Sequence, residues 1–106
     1  MSKYSGTLRD VIICQIEKID IEFLFGYVVE HTNAQYICDD WFASSYIQHI
    51  KNVDDCFVVT TANSTYQIPN YRTLVIPMAA LDNIRMGTPP EKALRILNGS
   101  FGQSIH

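Results

Sequence analysis

Charged residues are scarce in this sequence, and they form no cluster of one sign. They make up 18% of the 106 residues, whereas typical domains have about 25%. Eight basic residues stand against eleven acidic ones, and the net charge is −3. A protein that binds duplex nucleic acid normally has a basic face, because phosphate neutralisation supplies most of its non-specific affinity. The composition therefore argues against nucleic acid as a partner.

Membrane and secretory signals are also missing. No stretch approaches the run of ~18 apolar residues that is needed to span a bilayer. The chain does not open with a charged segment followed by an apolar one, as a secretory leader does. We therefore expect a cytoplasmic protein that has no membrane partner.

The cysteines and histidines lack the spacing of a metal site. Cys14, Cys38 and Cys56 are odd in number and lie inside apolar runs, which predicts buried free thiols. They show no paired zinc-site spacing, and the three histidines have no ligand partner three or four residues away. A glycine-rich phosphate loop is absent too. The sequence thus predicts neither a metal nor a cofactor.

What the chain does have is a β-rich stretch over residues 55–77. It is the longest run of strand-forming residues, and turn signals divide it into three short strands. These strands are Cys56–Thr61, Tyr66–Ile68 and Thr73–Ile76. The stretch predicts a sheet around which the remaining elements are arranged.

Three more strands are predicted before this stretch. Alternation with a period of two indicates one strand from Val11 to Ile16 and a longer one from Ile21 to Glu30. Gly26 inside the longer strand indicates a bulge or a close backbone approach. Turn residues at Thr32–Asn33 then lead into a third strand, Ala34–Cys38, which forms a hairpin with the second.

A central helix is predicted over Trp41–Lys51. At about 100° per residue, its apolar side chains fall on one face and its polar side chains on the other. Asp39 or Asp40 is suitably placed to cap its N-terminus. The apolar face consists of Phe42, Ala43, Tyr46, Ile47 and Ile50.

Two shorter helices are predicted near the end of the chain. After Pro77, apolar residues recur at helical spacing, and Gly87 offers a left-handed C-cap. Thr88 and Glu91 then match a capping box with proline at the first helical position. This last helix is expected to end at Gly99.

Together these elements predict a single α+β domain over residues 1–106. We expect a mostly antiparallel sheet of five to six short strands, with one central helix and two short C-terminal helices. Residues 1–8 and 100–106 are expected to be loose, as chain termini usually are.

A second possible fold comes from residues 55–86. The segments DDCFVVTT and LVIP, a helical turn at MAAL and a last strand at DNIRMG resemble the ending of SH3-like and Sm-like small barrels. The resemblance implies a small barrel with added helices. Within the Sm-like group it also implies ring assembly and RNA binding, although no motif transfers those roles to particular residues.

The candidate ligand site is the polar turn inside the β-rich stretch. Uncharged donors and acceptors beside aromatic rings can line a pocket for a small polar ligand. The alternative is a hairpin whose turn residues hydrogen-bond to their own backbone. The predicted ligand-binding residues are Thr61, Asn63, Ser64, Thr65, Tyr66 and Tyr71.

An enzyme is the alternative to a binding protein. His31, Cys38, Asp39 and Asp40 lie close in sequence and supply a thiol, an imidazole and carboxylates, which are the parts of a nucleophilic site. Their structural interpretation is a turn, a strand end and a helix cap. No complete catalytic set is predicted.

Self-association is the main functional expectation. The second strand is apolar on both faces, and three short helices have enough area for one face of the sheet only. A partner subunit is therefore expected to cover the other face. We therefore expect a non-enzymatic binding or interaction protein that forms a homo-oligomer and holds a small polar ligand at or near a subunit interface.

Overall fold

The computed structural model describes the backbone of residues 4–105 and the side chains of residues 4–97. Its elements form an α+β fold of six strands and two helices, in agreement with the predicted class. The strands are β1 Gly6–Ile16, β2 Glu22–His31, β3 Trp41–Val53, β4 Cys56–Thr61, β5 Thr65–Ile68 and β6 Tyr71–Ile76. The helices are α1 Met78–Arg85 and α2 Pro90–Ile105.

The first five strands close on themselves. The strand order is β2-β3-β4-β5-β1-β6, and β1 pairs with β2 as well. Neighbours from β1 to β5 are antiparallel, whereas β1 runs parallel to β5 and to β6. The start of β1 pairs with β5 and its second half with β6, so β6 lies outside the closed ring. A closed sheet has an inside and an outside, and both need to be covered.

The inside of the closed sheet is filled by apolar side chains from every strand of the ring. This inner core consists of Leu8, Val11, Ile13, Leu24, Val28, Phe42, Val59, Tyr66 and Ile68. Strand alternation places the neighbours of these residues on the outside, where they form a second buried cluster with the helices. This outer core consists of Ile12, Cys14, Ile16, Phe23, Phe25, Ile76, Ala80, Ile84 and Ala93.

The outer core changes one prediction. Phe23 and Phe25, on the second face of β2, are fully buried against side chains that include Ala80 and Ile84 of α1. The chain's own helices therefore cover the face that a partner subunit was expected to cover, while self-association itself stays a prediction. The buried strand residues of the outer core come from β1, β2 and β6, and the two C-terminal helices cover them.

Gly26 faces a bulge in β1, as predicted. Arg9 pairs with Tyr27 and Ile12 with Phe25, so that two residues of β1 lie opposite Gly26. A Cβ atom at Gly26 would lie 3.0 Å from Val11 Cγ2. The extra residue shifts the alternation of β1, and this allows Leu8 and Val11 both to face the inner core.

The predicted helix over residues 41–51 was wrong, because this segment is strand β3. Its pairing register shifts twice, at Ser44–Ser45 opposite β2 and at Gln48 opposite β4. Each shift reverses the face that points inward. Phe42, Ile47 and Ile50 consequently all contact the inner core, and their uneven spacing resembles the period of a helix.

The predicted strand over residues 34–38 was also wrong, since residues 32–40 form a loop of turns. The Asn33 side chain accepts a hydrogen bond from the Gln35 N–H at 3.0 Å, which favours a turn. Asp39 does not cap a helix: its N–H donates to the Val28 carbonyl at 2.7 Å, and the Asp40 carbonyl accepts from the Val28 N–H at 2.9 Å.

Two C-terminal helices are present near the predicted positions, although their bounds do not match exactly. Gly87 follows α1 with a φ of 111°, the left-handed conformation expected there. Glu91 was predicted to form a capping box with Thr88. In the structure its carboxylate pairs with Arg72 of β6 at 2.6 Å. The DNIRMG segment belongs mostly to α1 and is not a closing strand, and α2 continues beyond Gly99.

Two further predictions concern the chain ends and the membrane. Strand β1 begins at Gly6, inside the segment that was expected to be loose, while residues 1–3 and 106 lie outside the described residues. Within residues 4–105, no helix is long and apolar enough to cross a membrane.

Candidate functional site

The inner core ends in a group of aromatic rings that is open to solvent on one side. His31, the last residue of β2, lies against Phe42 and Tyr66 of the inner core, with ring centroids 5.6 and 5.7 Å apart. Tyr36 of the 32–40 loop lies 4.6 Å from the His31 ring. Strand ends and one loop thus bring four rings together.

Hydrogen bonds fix the orientation of His31. Its Nδ1 accepts a bond from the Asn33 N–H at 2.9 Å, and its Nε2 lies 3.5 Å from the Tyr66 hydroxyl. A neutral imidazole that accepts at Nδ1 carries its proton on Nε2, so Nε2 donates to the Tyr66 oxygen. Burial lowers the pKa of His31 and raises the pKa of Tyr66. The Tyr66 hydroxyl therefore keeps its proton, and it has a second hydrogen-bond partner in the Ser64 side chain.

A cleft of about 270 Å³ opens beside these rings, and we call it the His31 cleft. None of the described residues that line it is Asp, Glu, Lys or Arg. Amide and hydroxyl groups accompany the four rings instead. The remaining lining residues are Asn33, Ala43, Ser45, Asn63 and Ser64. Such a wall suits an uncharged polar ligand.

A second cleft, of about 400 Å³, adjoins the first, and we call it the Arg85 cleft. The two share Tyr36, Phe42 and Ala43, and together they form the groove. The Arg85 cleft is further lined by Gln35, Asp40, Trp41 and Arg85. It differs from the His31 cleft in carrying one cation and one anion.

Trp41 forms part of the groove wall because of two partners. Its ring stacks on Phe25 of the outer core, with centroids 6.2 Å apart and planes 7° apart. A Cβ atom at Gly87 would lie only 2.8 Å from Trp41 Cε2. Glycine at position 87 therefore serves both the left-handed turn after α1 and the seating of the tryptophan.

Three of the six predicted ligand-binding residues line the His31 cleft, namely Asn63, Ser64 and Tyr66. The other three have partners elsewhere. Thr61 is buried and exchanges hydrogen bonds with the Ser64 backbone, both at 3.2 Å. Tyr71 packs edge-on against Phe57, with centroids 5.0 Å apart, and the Thr65 N–H donates to Ser5 Oγ at 3.3 Å.

The other half of the groove was not predicted from the sequence. His31 was considered for catalysis, for metal binding and as a turn residue, but not for ligand binding. Tyr36, Phe42 and Trp41 were assigned to a strand and a helix that the structure does not contain. Arg85 was not singled out at all. A signal that could have indicated this half is the run of aromatic residues from Tyr36 to Tyr46.

The structure does not pair His31 with the other candidate catalytic residues, although Cys38 and Asp39 share a hydrogen bond. Both ring nitrogens of His31 have other partners. Cys38 is exposed, contrary to the prediction of a buried thiol, and Asp39 pairs with Arg9 at 2.8 Å. That hydrogen bond lowers the pKa of Asp39. Cys14 is buried, and burial raises the pKa of its thiol to about 12, which makes it unreactive.

Metal binding has no counterpart among the residues described. Within that part of the chain, no group of three or more His, Cys, Asp or Glu side chains is close enough to hold an ion.

Comparisons of the chain with protein-family models, with curated proteins and with solved structures found no match. A function therefore has to be inferred from the groove itself.

Proposed function

We propose that this protein is a non-enzymatic binding protein that holds a small polar ligand in the groove, with the uncharged part of the ligand in the His31 cleft. The observation that carries the proposal is the convergence of uncharged donors and acceptors on four aromatic rings at the open end of the inner core. Asn63, Ser64 and Tyr66 were expected to bind a ligand from the sequence alone.

The chemistry of the His31 cleft supports this proposal. Its rings offer apolar area at small entropic cost, and its amide and hydroxyl groups can fix a ligand's orientation. His31 Nε2 donates to the Tyr66 oxygen, and the Tyr66 hydroxyl and its partner Ser64 can both hydrogen-bond to a ligand. A hydrogen bond of this kind contributes about 0.5–1.5 kcal/mol to binding.

The cleft is also largely formed before a ligand arrives. The Asn33 N–H bond to His31 and the Tyr36 N–H bond to the Asn33 carbonyl, at 3.1 Å, hold the loop that carries one wall. Thr61 and Ser64 fix the opposite turn. A preformed site loses less conformational entropy on binding.

The test begins with native mass spectrometry of freshly purified protein, followed by denaturation to release any bound molecule. In parallel, NMR titration of the labelled protein with benzamide and with methyl glucoside, a planar and a saturated uncharged probe, locates the contact residues. Tyr66→Phe should weaken binding about 3- to 10-fold, the equivalent of one hydrogen bond. Tyr71→Phe is the matched control, because Tyr71 lies outside the groove. Probe binding that is equal in both variants would count against the proposal.

We propose separately that copies of the chain associate through the open edge of β6. Within the described residues, β6 pairs with β1 alone. Val75 of β6 is 56% exposed and Ile19 is 45% exposed, and both line one shallow cleft. An exposed strand edge with apolar side chains favours pairing with another chain.

Sedimentation at several protein concentrations tests this association. Val75→Lys should dissociate the oligomer, because a lysine on an edge strand opposes pairing. Val29→Lys, on another exposed valine, should leave the oligomer intact. A monomer at every concentration would refute the proposal, whatever the outcome of the ligand experiments.

The RNA-binding alternative has less support from the groove. Arg85 is the one cation among the described residues that line it, and Asp40 lies in the same cleft. Single-stranded nucleic acid needs a positively charged path for its backbone as well as stacking rings.

A further inference from the structure

Arg85 is held in place at the edge of the groove. Its Nη1 donates to the Ser44 carbonyl at 2.6 Å, and its guanidinium carbon lies 5.1 Å from the centre of the Phe23 ring. The bulge in β3 is what presents the Ser44 carbonyl to the helix. A long side chain that is ordered in this way loses less entropy when it binds a ligand.

Arg85 differs from Arg9 and Arg72 in having no carboxylate partner among the described residues. Arg9 bonds to Asp10 and Asp39, and Arg72 bonds to Glu91. Among the described residues, the positive charge inside the groove therefore has no carboxylate partner at salt-bridge distance.

The remaining N–H groups of Arg85 suit an oxyanion. Nη1 is used by the Ser44 carbonyl, while Nε and Nη2 can donate two parallel bonds to a carboxylate. Asp40 lines the same cleft, and its carboxylate accepts from the Ile37 N–H at 3.4 Å. A second negative charge on the ligand would be repelled by Asp40, which favours a singly charged anion.

We infer that the ligand of the groove is a small aromatic or other planar carboxylate, with its carboxylate on Arg85 and its uncharged part against Tyr36 and Phe42. This inference rests on the proposed function, since it assigns a chemical class to the ligand of the same groove. The shared wall of the two clefts is what lets one small molecule reach both.

A matched pair of probes tests the inference: 4-hydroxybenzoate and 4-hydroxybenzamide, which share a ring and a hydroxyl and differ in charge. NMR titration of the full chain should show the benzoate binding roughly tenfold more tightly, as expected for a charge-assisted bond. The Trp41 indole N–H and the Tyr36 amide should shift. Phenyl phosphate, with nearly two charges, should bind more weakly than the benzoate.

Variants at two arginines test whether Arg85 causes the tighter binding of the benzoate. Arg85→Gln should abolish the difference between the probes, and Arg85→Lys should restore part of it by returning the charge. Arg95→Gln removes the same charge from a residue that lines neither cleft, and should keep the full difference. Thermal unfolding of each variant checks that it is folded.

The outcomes separate this inference from the proposed function. If both probes bind equally in the groove and Arg85→Gln changes nothing, the carboxylate class is wrong and the binding site stands. If phenyl phosphate binds most tightly, the single charge is wrong. If neither probe shifts any groove signal while benzamide and methyl glucoside also fail to bind, both proposals fail.

Discussion

The inner and outer cores are built from the same strands but end differently. The inner core is enclosed by the ring of strands, and at one end it is left open, where Phe42 and Tyr66 meet His31. The outer core lies between the sheet and two helices and is sealed by Ala80 and Ile84 of α1. The open end holds aromatic side chains with polar tips, and this is where a ligand can be bound.

The β3 bulge at Ser44 joins the two cores. The Ser44 hydroxyl accepts a hydrogen bond from the Leu24 N–H of the inner core at 2.9 Å. The Ser44 carbonyl accepts one from Arg85 of α1. The groove lies where these two layers meet. Its uncharged cleft belongs to the inner core and its charged cleft to the outer layer.

The largest expected effects on stability come from truncating one buried side chain in each core, two side chains of similar size. Leu24→Ala and Ile84→Ala should each lower the free energy of unfolding by about 2–5 kcal/mol, since both side chains are fully buried. Only Leu24→Ala should also shift the NMR signals of His31 and Tyr66. Urea denaturation measures the first effect. The exposed Val29→Ala should change stability by no more than about 0.5 kcal/mol.

Equal changes at His31 in both of these variants would mean that the two cores behave as one unit. The separation of the groove into an inner and an outer half would then fail.

A smaller loss is expected at the outer edge of the groove. Gly87→Ala should destabilise the fold by about 1–3 kcal/mol, because the left-handed backbone is strained for alanine and its Cβ atom would meet Trp41. Trp41 is the single tryptophan, so its fluorescence reports on this site. Asn83→Ala in α1 is the control. An unchanged emission spectrum and stability for Gly87→Ala would contradict the close packing.

The junction between the cores is tested by Ser44→Ala. The Leu24 N–H would lose its acceptor in a buried place, with an expected loss of about 1–3 kcal/mol. Hydrogen exchange at the Leu24 amide should become faster. Ser45→Ala, next to it on the groove wall, should cost no more than about 0.5 kcal/mol. Similar losses of stability in both variants would show that the Ser44 hydroxyl stabilises the fold no more than the Ser45 hydroxyl does.

The smallest effect is a pH dependence at the open end. Burial lowers the pKa of His31, and the described groups that face it are the Tyr36, Phe42 and Tyr66 rings and the Asn33 N–H. As pH falls through about 6.5, the unfolded chain takes up a proton before the folded chain does, so the free energy of unfolding falls. The loss is complete below the folded pKa.

Urea midpoints between pH 7 and pH 5 measure this dependence. His31→Asn should flatten it, because asparagine keeps an acceptor near the Asn33 N–H and does not titrate. His49→Asn, at an exposed residue of β3, is the control and should leave the pH dependence of the midpoint unchanged. The lowered pKa values of Asp39 and Glu91 add a separate loss that falls below about pH 4, outside this window. A wild-type midpoint that is constant from pH 7 to pH 5 would exclude the effect.

Much of the fold was predictable from short stretches of sequence. The strands of residues 56–76 and helix α1 lie where turn residues, prolines and Gly87 placed them. Gly26 was correctly linked to a bulge. The failures lie between residues 34 and 51, where two register shifts gave a strand the apolar spacing of a helix.

Three of the six predicted site residues, Asn63, Ser64 and Tyr66, line the groove for the same reason, since they lie in one local hairpin. The other residues of the groove depend on long-range contacts. His31 and Tyr66 are 35 positions apart, and Arg85 and Ser44 are 41 positions apart. No periodicity in the sequence reports on such pairs.

The sequence by itself determined the α+β class, most strands and both C-terminal helices, because these follow from side-chain alternation, caps and turns among near neighbours. The tertiary structure alone decided the closure of the sheet, the covering of β2 by the chain's own helices and the pairing of the two clefts. Each of these depends on which distant residues share a buried face, and that is fixed only when the strands choose their partners and register.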